Sequence, residues 1–320
     1  MNKYPLKLKH FAKTAIWGGN TLKNTWGKEC TFDKLAETWE LTVRKDAVSI
    51  IENGEYASLS LAEYLENTAD AVGLNPIEDG RFPLLIKFID AADKLSVQVH
   101  PDNQYAQREN DLGKTEMWYI ISANEDAEII YGLADYMDES DFRASVALNE
   151  IGKTVKTIPV HAGECYFIPS GLVHAIGKGC LIAEIQQNSD ITYRVYDYDR
   201  KDANGNLREL HVQKALDVVR AFTEQEIDAL RFSKFPKMKV GDCLAACPYF
   251  EVHALSLHGY SEALETDSES FHSLLCIEGE GSIMYKGEHY PLSRGDSYFL
   301  PAGMGAYTLC GNATLLVSRI

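Results

Sequence analysis

A short alternating segment carries side chains that could bind a metal ion. In residues 95–100, LSVQVH, apolar and polar residues alternate with a period of two, which predicts a strand. Ser96, Gln98 and His100 would share one face of that strand. Because Pro101 cannot extend a central strand, we expect His100 to lie at its rim. This face could hold a ligand.

Two further polar side chains precede the next apolar run. Glu116 opens the run MWYII, and Lys114 lies two residues before it, so both should point the same way if the run is a strand. Gln98, His100 and Glu116 are plausible ligands for a divalent ion of borderline softness, but they are one short of four. Singly, each is more simply explained as an ordinary hydrogen-bonded polar group.

His174 could supply the missing ligand. It follows the apolar strand Cys165–Ile168 and the turn Pro169-Ser170-Gly171, so we expect a hairpin that brings His174 beside the other three. Such a set has one formal negative charge. A bound Zn²⁺ would then keep about one net positive charge for a substrate.

Composition limits the partners. The 320 residues are enough for two domains, and the net charge of −16 argues against nucleic acid and anionic membranes. A phosphorylated substrate would need a local basic pocket, for which Lys87, Lys114 and Arg194 are candidates.

The same composition favours a cytoplasmic location. The first residues, MNKYPLKLKHFAK, lack an apolar targeting segment, and no stretch approaches the roughly 18 apolar residues of a membrane span. The seven cysteines show no paired metal spacing, so we interpret them as reduced, small apolar residues.

Three helices are expected between the β segments. One spans residues 60–72, with Ser60 as N-cap and Glu63 as its capping-box partner. The others span residues 138–148 and follow His211. Elsewhere, Trp39 lies between two acids, which fits either the wall of a sugar site or an amphipathic strand.

A sequence pattern occurs twice. Gly163-x5-Pro169-x-Gly171-xx-His174 recurs as Gly295-x5-Pro301-x-Gly303-xx-Ala306, and both copies contain Tyr-Phe-[Ile/Leu]-Pro. This predicts two tandem copies of one β unit. Because Ala306 replaces the histidine, the second copy should lack a metal site and be structural.

The repeated pattern is similar to the second signature of the cupin superfamily, whose members are double-stranded β-helix (jelly-roll) barrels. The segments PLLIKFIDAADKLSVQVHPD, GKTEMW, PSGLVHAIG and EIQQNSDITYR resemble the type I mannose-6-phosphate isomerases, in particular the short two-cupin bacterial form. The resemblance covers most of the chain.

That resemblance implies a mainly β fold of two tandem cupin barrels with a few inserted helices. Residues 1–235 would form the catalytic domain and residues 236–320 a domain without metal. It also implies an isomerase that interconverts mannose 6-phosphate and fructose 6-phosphate through a cis-enediolate, as a monomer or weak homodimer. One Zn²⁺ per chain would be held by Gln98, His100, Glu116 and His174.

The resemblance also implies roles for other polar residues. Arg194, Lys114 and Asp190 would be catalytic, and Lys87 and Glu184 would bind substrate. The residue that transfers the proton stays open among Lys114, Asp190, Glu184 and a water on the ion. Two other functions remain possible: a metal-dependent cupin dioxygenase, and a sugar-binding cupin without catalysis.

Overall fold

Strands form most of the regular structure in the computed structural model, which describes residues 1–74, 80–134, 137–202 and 204–320. In chain order the strands are β1 (Leu6–Lys9), β2 (Phe11–Lys13), β3 (Glu37–Leu41), β4 (Val43–Arg44), β5 (Ala47–Val48), β6 (Ile50–Ile51), β7 (Leu84–Ala91), β8 (Val97–Val99), β9 (Glu116–Ala123), β10 (Glu128–Leu133), β11 (Val155–Pro159), β12 (Cys165–Ile168), β13 (His174–Ile176), β14 (Cys180–Gln187), β15 (Tyr193–Tyr196), β16 (Asp242–Ala246), β17 (Glu251–Ser256), β18 (Ser261–Thr266), β19 (His272–Tyr285), β20 (Glu288–Ser293), β21 (Ser297–Leu300) and β22 (Gly305–Arg319).

The helices are short and lie between strands. They are α1 (Thr21–Asn24), α2 (Leu61–Glu66), α3 (Asn103–Ala106), α4 (Glu139–Ala147), α5 (Val212–Val218) and α6 (Glu224–Arg231). Within the ranges described, every helix is too short or too polar to cross a lipid bilayer.

The strands form three large antiparallel sheets and one small one. One sheet has the order β12-β9-β14-β7-β3-β2, a second β11-β10-β13-β8-β15, and a third β16-β17-β22-β19-β21-β1-β6, with β18 on β22 and β20 on β19. Strands β4 and β5 pair separately. The prediction of a mainly β fold is therefore confirmed. Each sheet is an open path of strands, so the hydrogen bonding does not by itself confirm two tandem barrels.

The first two sheets share a hydrophobic core. Phe88 of β7 and Ile120 of β9 belong to the same buried cluster as Ile129 of β10 and Ile176 of β13. The alternation of side chains along the strands directs these apolar side chains into the core. Polar side chains at the strand ends can then form a binding site. Sheet hydrogen bonds and core packing therefore hold in place the ends of β8, β9 and β13, where the predicted ligands lie.

The sequence repeat has a matching backbone structure. The N–H of Gly163 donates to the carbonyl of Ile120 at 2.8 Å, and the N–H of Gly295 donates to the carbonyl of Cys276 at 2.8 Å. Gly163 and Gly295 have φ of 89° and 93°, which glycine adopts without strain. The two copies thus begin with the same turn against the same kind of neighbouring strand.

The predicted hairpin before His174 is wrong. Strand β12 pairs with β9, whereas β13 pairs with β10 and β8, so the two strands belong to different sheets. Residues 169–173 carry the chain from one sheet to the other, and Gly171 donates its N–H to the carbonyl of His100 at 2.9 Å. A connection of this length need not be a tight turn, and partner strands far along the chain decide the pairing.

The predicted helices are present, with shorter bounds. Ser60 caps α2 and forms the expected capping box with Glu63, but the helix ends at Glu66, where Asn67 and a threonine follow. Both residue types compete with the helix for backbone hydrogen bonds. Helix α4 matches its prediction closely, and α5 follows His211 as expected.

The N-terminal strands join the sheet built from the C-terminal residues. Leu6 of β1 pairs with Phe299 of β21, and Leu8 pairs with Ile51 of β6. The domain boundary between residues 235 and 236 stays a prediction, and these pairings show that hydrogen bonds cross it.

Candidate active site

Three buried side chains from separate strands meet at one point. His100 follows the end of β8, Glu116 is the first residue of β9 and His174 the first of β13. One potential ligand atom from each lies within 4.8 Å of those of the other two. The Nε2 atoms of the two histidines are 3.1 Å apart, and each lies 3.6 Å from a carboxylate oxygen of Glu116.

Gln98 lies beside this group. It pairs with His174 across β8 and β13, and its Nε2 lies 3.4 Å from His174 Nε2. The structure therefore brings the four predicted ligands together from three places in the sequence. Gln98 lies within β8, His100 directly follows it, and Glu116 and His174 begin β9 and β13, so the sheets fix their backbones.

The protonation of the group suits a metal ion. The imidazole of His174 hydrogen-bonds through Nδ1 to the carbonyl of Leu172 at 2.9 Å, which leaves the Nε2 lone pair facing the group. Burial lowers the pKa of His174 to about 4. Burial, helped by Lys114, also lowers the pKa of His100 well below its usual value, so both rings are neutral.

Glu116 provides an independent test of the fit. Its Oε1 is buried and has no hydrogen-bond partner among the residues that the structure describes. Burial, together with the nearby Glu184 carboxylate, raises the pKa of Glu116 to about 7, although Lys114 opposes this shift. Two neutral imidazoles, one carboxylate and an amide fit a divalent cation of borderline softness.

Alternating charges extend from this group through a row of mostly buried side chains. Lys114 Nζ lies 2.9 Å from Glu116 and 3.8 Å from Glu184, and Lys87 Nζ lies 3.1 Å from Glu184 and 3.8 Å from Glu37. Burial alone would lower the pKa of Lys87, but Glu184 and Glu37 outweigh it and raise that pKa. Burial would likewise raise the pKa of Glu184, but Lys114 and Lys87 hold it at about 2. Both groups are therefore charged.

Arg194 lies on the other side of Gln98. It pairs with Gln98 across β15 and β8, and its Nε donates to Ser96 Oγ at 3.2 Å. Its Nη1 donates to the carbonyl of Glu209 at 2.8 Å. In the described ranges no carboxylate forms an ion pair with this guanidinium. Arg194 is therefore a cation available to an anionic ligand.

Asp190 lies further from the ligand group. Its carboxylate is 3.3 Å from Lys13 Nζ, and 41% of its side chain is exposed. Burial would raise its pKa, but Lys87 and Lys13 lower it below the usual value. The structure thus places Asp190 at the entrance, as a charged partner of Lys13.

A cavity of about 610 Å³ lies beside the ligand group. Six predicted site residues line it: Lys87, Gln98, Lys114, Glu184, Asp190 and Arg194. Its lining contains seven lysines and arginines but five carboxylates, in a chain with a net charge of −16. The cavity is therefore locally basic and large enough for a sugar phosphate.

Some lining residues were not predicted. Glu37, Lys13, Arg208 and Lys214 face the cavity, and only Glu37 lay in a segment that the sequence singled out. The sugar-wall interpretation of Trp39 is wrong, because its side chain is 1% exposed and its Nε1 donates to Glu37 at 2.7 Å. The remaining three carry no local pattern that distinguishes them from surface charges.

Comparisons with known proteins agree over the whole chain. Residues 6–145 match the family model "Phosphomannose isomerase type I, catalytic domain", and residues 241–320 match "Mannose-6-phosphate isomerase, cupin domain". The chain is 39% identical to mannose-6-phosphate isomerase ManA of Bacillus subtilis (strain 168), with all of both chains covered. It is 37% identical to the mannose-6-phosphate isomerase of Streptococcus mutans, with 98% of both covered. The crystal structure of a mannose 6-phosphate isomerase from Bacillus subtilis superposes with a TM-score of 0.87 at 35% identity, covering 99% of each chain.

Proposed function

The chain belongs to the type I phosphomannose isomerase family, and from that premise we propose that it interconverts mannose 6-phosphate and fructose 6-phosphate. The observation that carries the proposal is the meeting of His100, Glu116 and His174 beside a basic cavity. Lys114 and Arg194 lie on either side of that group. The cavity therefore offers a place for each end of an open-chain sugar phosphate.

The metal centre in this proposal is a Zn²⁺ held by Gln98, His100, Glu116 and His174. When bound, the ion supplies Lewis-acid stabilisation for the negative charge that develops on O1 and O2 of the cis-enediolate. The buried Oε1 of Glu116, which has no hydrogen-bond partner in the part of the chain that the structure describes, and the neutral imidazoles support this ligand set. Next to this ligand set, the Lys114 and Lys87 ammonium groups keep Glu184 as a carboxylate, so its negative charge is balanced by nearby positive charge.

Arg194 binds the phosphate in this proposal. Its guanidinium is the cavity cation without a carboxylate ion pair in the described ranges, whereas Lys87 has two such partners. A planar guanidinium can bind two phosphate oxygens at once. Lys87 is then better placed to hold a sugar hydroxyl than the phosphate.

Lys114 is our choice for the proton transfer between C1 and C2. Its Nζ lies 3.2 Å from His100 Nε2, so it is next to the group where O1 and O2 must bind. Asp190 is 3.3 Å from Lys13 at the entrance, and Glu184 is held as a carboxylate by Lys87 and by a 2.9 Å hydrogen bond from Trp118. Both carboxylates are therefore held by other partners, and the step requires Lys114 to act as its neutral amine.

The wider organisation follows from the repeat. We propose two tandem cupin barrels, residues 1–235 with the metal site and residues 236–320 without it, in a monomer or weak homodimer. The matching glycine turns support the duplication. The net charge and the unpaired cysteines support a cytoplasmic enzyme that does not bind nucleic acid.

A coupled assay of mannose 6-phosphate conversion tests the proposal. We expect chelation, and separately His174→Ala, to lower turnover by about a hundredfold or more, because either removes the main charge stabilisation. Readdition of Zn²⁺ should restore the chelated wild type but not the variant. Full activity of the variant would refute the metal assignment, and bound iron with oxygen consumption would favour the dioxygenase.

A further inference from the structure

Residues 209–211 cover one edge of the strand that carries Arg194. Strand β15 pairs with β8 and is the last strand of its sheet, so its other edge needs hydrogen-bond partners from elsewhere. The backbone N–H of His211 donates to the carbonyl of Arg194 at 2.7 Å, and the ring Nδ1 of His211 accepts from the Arg194 N–H at 3.3 Å. A single histidine therefore satisfies both backbone groups of Arg194 on this edge.

The ring contact determines the form of the His211 imidazole. A backbone N–H can only donate, so the ring nitrogen that faces it carries a lone pair and the ring proton lies on Nε2. Burial, together with the positive charges of Arg194 and Lys214, lowers the pKa of His211, although Glu209 opposes this shift. The lowered pKa favours the same neutral ring that the hydrogen bond requires.

The same segment also holds the guanidinium. Arg194 Nη1 donates to the carbonyl of Glu209 at 2.8 Å, and Arg194 Nε donates to Ser96 Oγ at 3.2 Å. In the described part of the chain these contacts use two of the five guanidinium N–H groups, so the others are available to an anion. Because Glu209 lies two residues before His211, the His211 contacts also keep the Glu209 carbonyl in place.

The chain on either side of this segment fixes its position. Before it, Arg208 Nε donates to Asp197 Oδ2 at 2.7 Å, which holds the returning chain next to the end of β15. After it, α5 begins at once, and the N–H of Ala215 donates to the carbonyl of His211 at 2.9 Å. The position of His211 relative to Arg194 is therefore set by ordered structure on both sides.

We propose that His211 is a positioning residue for phosphate binding, because it holds Arg194 in the orientation in which the guanidinium meets the phosphate. The long arginine side chain is then ordered when the protein folds and not when the substrate binds, which favours the complex. The proposal rests on the function proposed above, because it needs Arg194 to bind the phosphate.

Steady-state kinetics with mannose 6-phosphate test this role in a double-mutant cycle with Arg194→Gln. We expect His211→Ala to raise KM about fivefold, the effect of ordering one long side chain on binding, with kcat nearly unchanged. In the Arg194→Gln background the same change should leave KM nearly unaltered, because the guanidinium that His211 positions is gone. His211→Asn should restore the wild-type KM, since its amide oxygen can accept from the Arg194 N–H as Nδ1 does.

Two further variants separate this role from support of helix α5. His211→Ser keeps a good helix cap, but its hydroxyl is too short to replace the ring, so its KM should match that of His211→Ala. Gln213→Ala removes an exposed side chain of the same helix, which hydrogen-bonds to Asp217, and should keep the wild-type KM.

The outcomes distinguish the positioning role from the phosphate contact itself. If Arg194→Gln raises KM but His211→Ala does not, the positioning role is overturned while the phosphate contact stands. An equal rise for His211→Ala in both backgrounds, or a His211→Asn variant that behaves like His211→Ala, would overturn it as well. An unchanged KM in Arg194→Gln itself would instead overturn the phosphate contact and the positioning role together.

Discussion

Glu116 and His272 occupy the same register position in the two copies of the repeat. Ile168 of the first Tyr-Phe-Ile-Pro pairs with Glu116, and Leu300 of the second copy pairs with His272. The equivalence extends to a second proposed ligand, because Gly171 donates its N–H to the carbonyl of His100 and Gly303 donates its N–H to that of Asp267. The second copy therefore has different side chains at the places where the first has its proposed metal ligands.

A positively charged side chain already lies next to Asp267, the second of these positions. Arg319 Nη2 lies 3.5 Å from Asp267 Oδ1, and His272 Nδ1 hydrogen-bonds to the hydroxyl of Tyr307 at 2.8 Å. Restoring a histidine with Ala306→His should thus leave the zinc content at one per chain, because Arg319 repels a second ion. Metal analysis after dialysis checks this, and two bound ions would contradict it.

The buried pair Lys87–Glu184 should be costly to break. Glu184→Gln leaves the Lys87 ammonium with Glu37, 3.8 Å away, as its remaining ion-pair partner among the described residues, so we expect a loss of about 3 kcal/mol in the free energy of unfolding. The double variant Lys87→Met with Glu184→Gln removes both charges and should recover part of that loss. Urea denaturation measures both. Equal stability of the single and double variants would show that the pair is not coupled.

Arg194→Gln should affect phosphorylated substrate selectively. Loss of charge-assisted hydrogen bonds to phosphate should lower kcat/KM for mannose 6-phosphate by about ten- to a hundredfold, mainly through KM. Lys214→Gln is a suitable comparison, because Lys214 lines the same cavity but is 2.5 Å from Glu109. A similar loss in both variants would argue for a general field effect rather than a phosphate contact.

Gly171 should tolerate a side chain less well than its repeat partner Gly303. Both have positive φ, but a Cβ at Gly171 would lie 2.9 Å from the carbonyl oxygen of Val218, whereas one at Gly303 would meet only Lys3 Nζ at 3.4 Å. We expect about 1 kcal/mol of destabilisation for Gly303→Ala and about 2 or more for Gly171→Ala. Only Gly171→Ala should weaken zinc binding, since Gly171 holds the carbonyl of His100. Thermal unfolding and zinc titration measure the two effects.

The ion pairs of Asp197 with Arg200 and Arg208 should make the free energy of unfolding depend on pH in the acid range. Arg208 contacts both oxygens of this carboxylate, at 2.7 and 2.5 Å, and Arg200 contacts one at 2.6 Å. Burial raises the pKa of Asp197, but these arginines outweigh it and lower the pKa below the ordinary 3.8. A carboxylate whose pKa is lowered by folding stabilises the folded state at pH values above its unfolded-state pKa. That stabilisation is lost as the pH falls through its folded-state pKa.

Asp197→Asn should therefore cost about 2 kcal/mol at pH 7, and the difference from wild type should shrink below about pH 4. Chemical denaturation between pH 7 and pH 3 tests this. If the stability difference between wild type and Asp197→Asn grew as the pH fell, the proposed ion pairs of Asp197 would be refuted.

The amino-acid sequence by itself determined the local features, which depend on residues close to one another in the chain. Strand alternation placed Gln98 and His100 on one face, and the Ser60–Glu63 capping box and the first residue of β9 were predictable from local pattern. The repeat was also visible, because each glycine turn needs a fixed local backbone. The four ligands could thus be named from the amino-acid sequence, with the family resemblance supplying the set.

Tertiary structure alone decided which strands pair and which charges meet. The hairpin prediction failed because β12 and β13 take partners far along the chain, and Trp39 could not be known to be buried behind Glu37. The pairing of Lys13 with Asp190 likewise joins residues 177 positions apart. Such contacts depend on packing between sheets, and hydrophobic burial and Coulomb attraction depend on distance in space, not on separation along the chain.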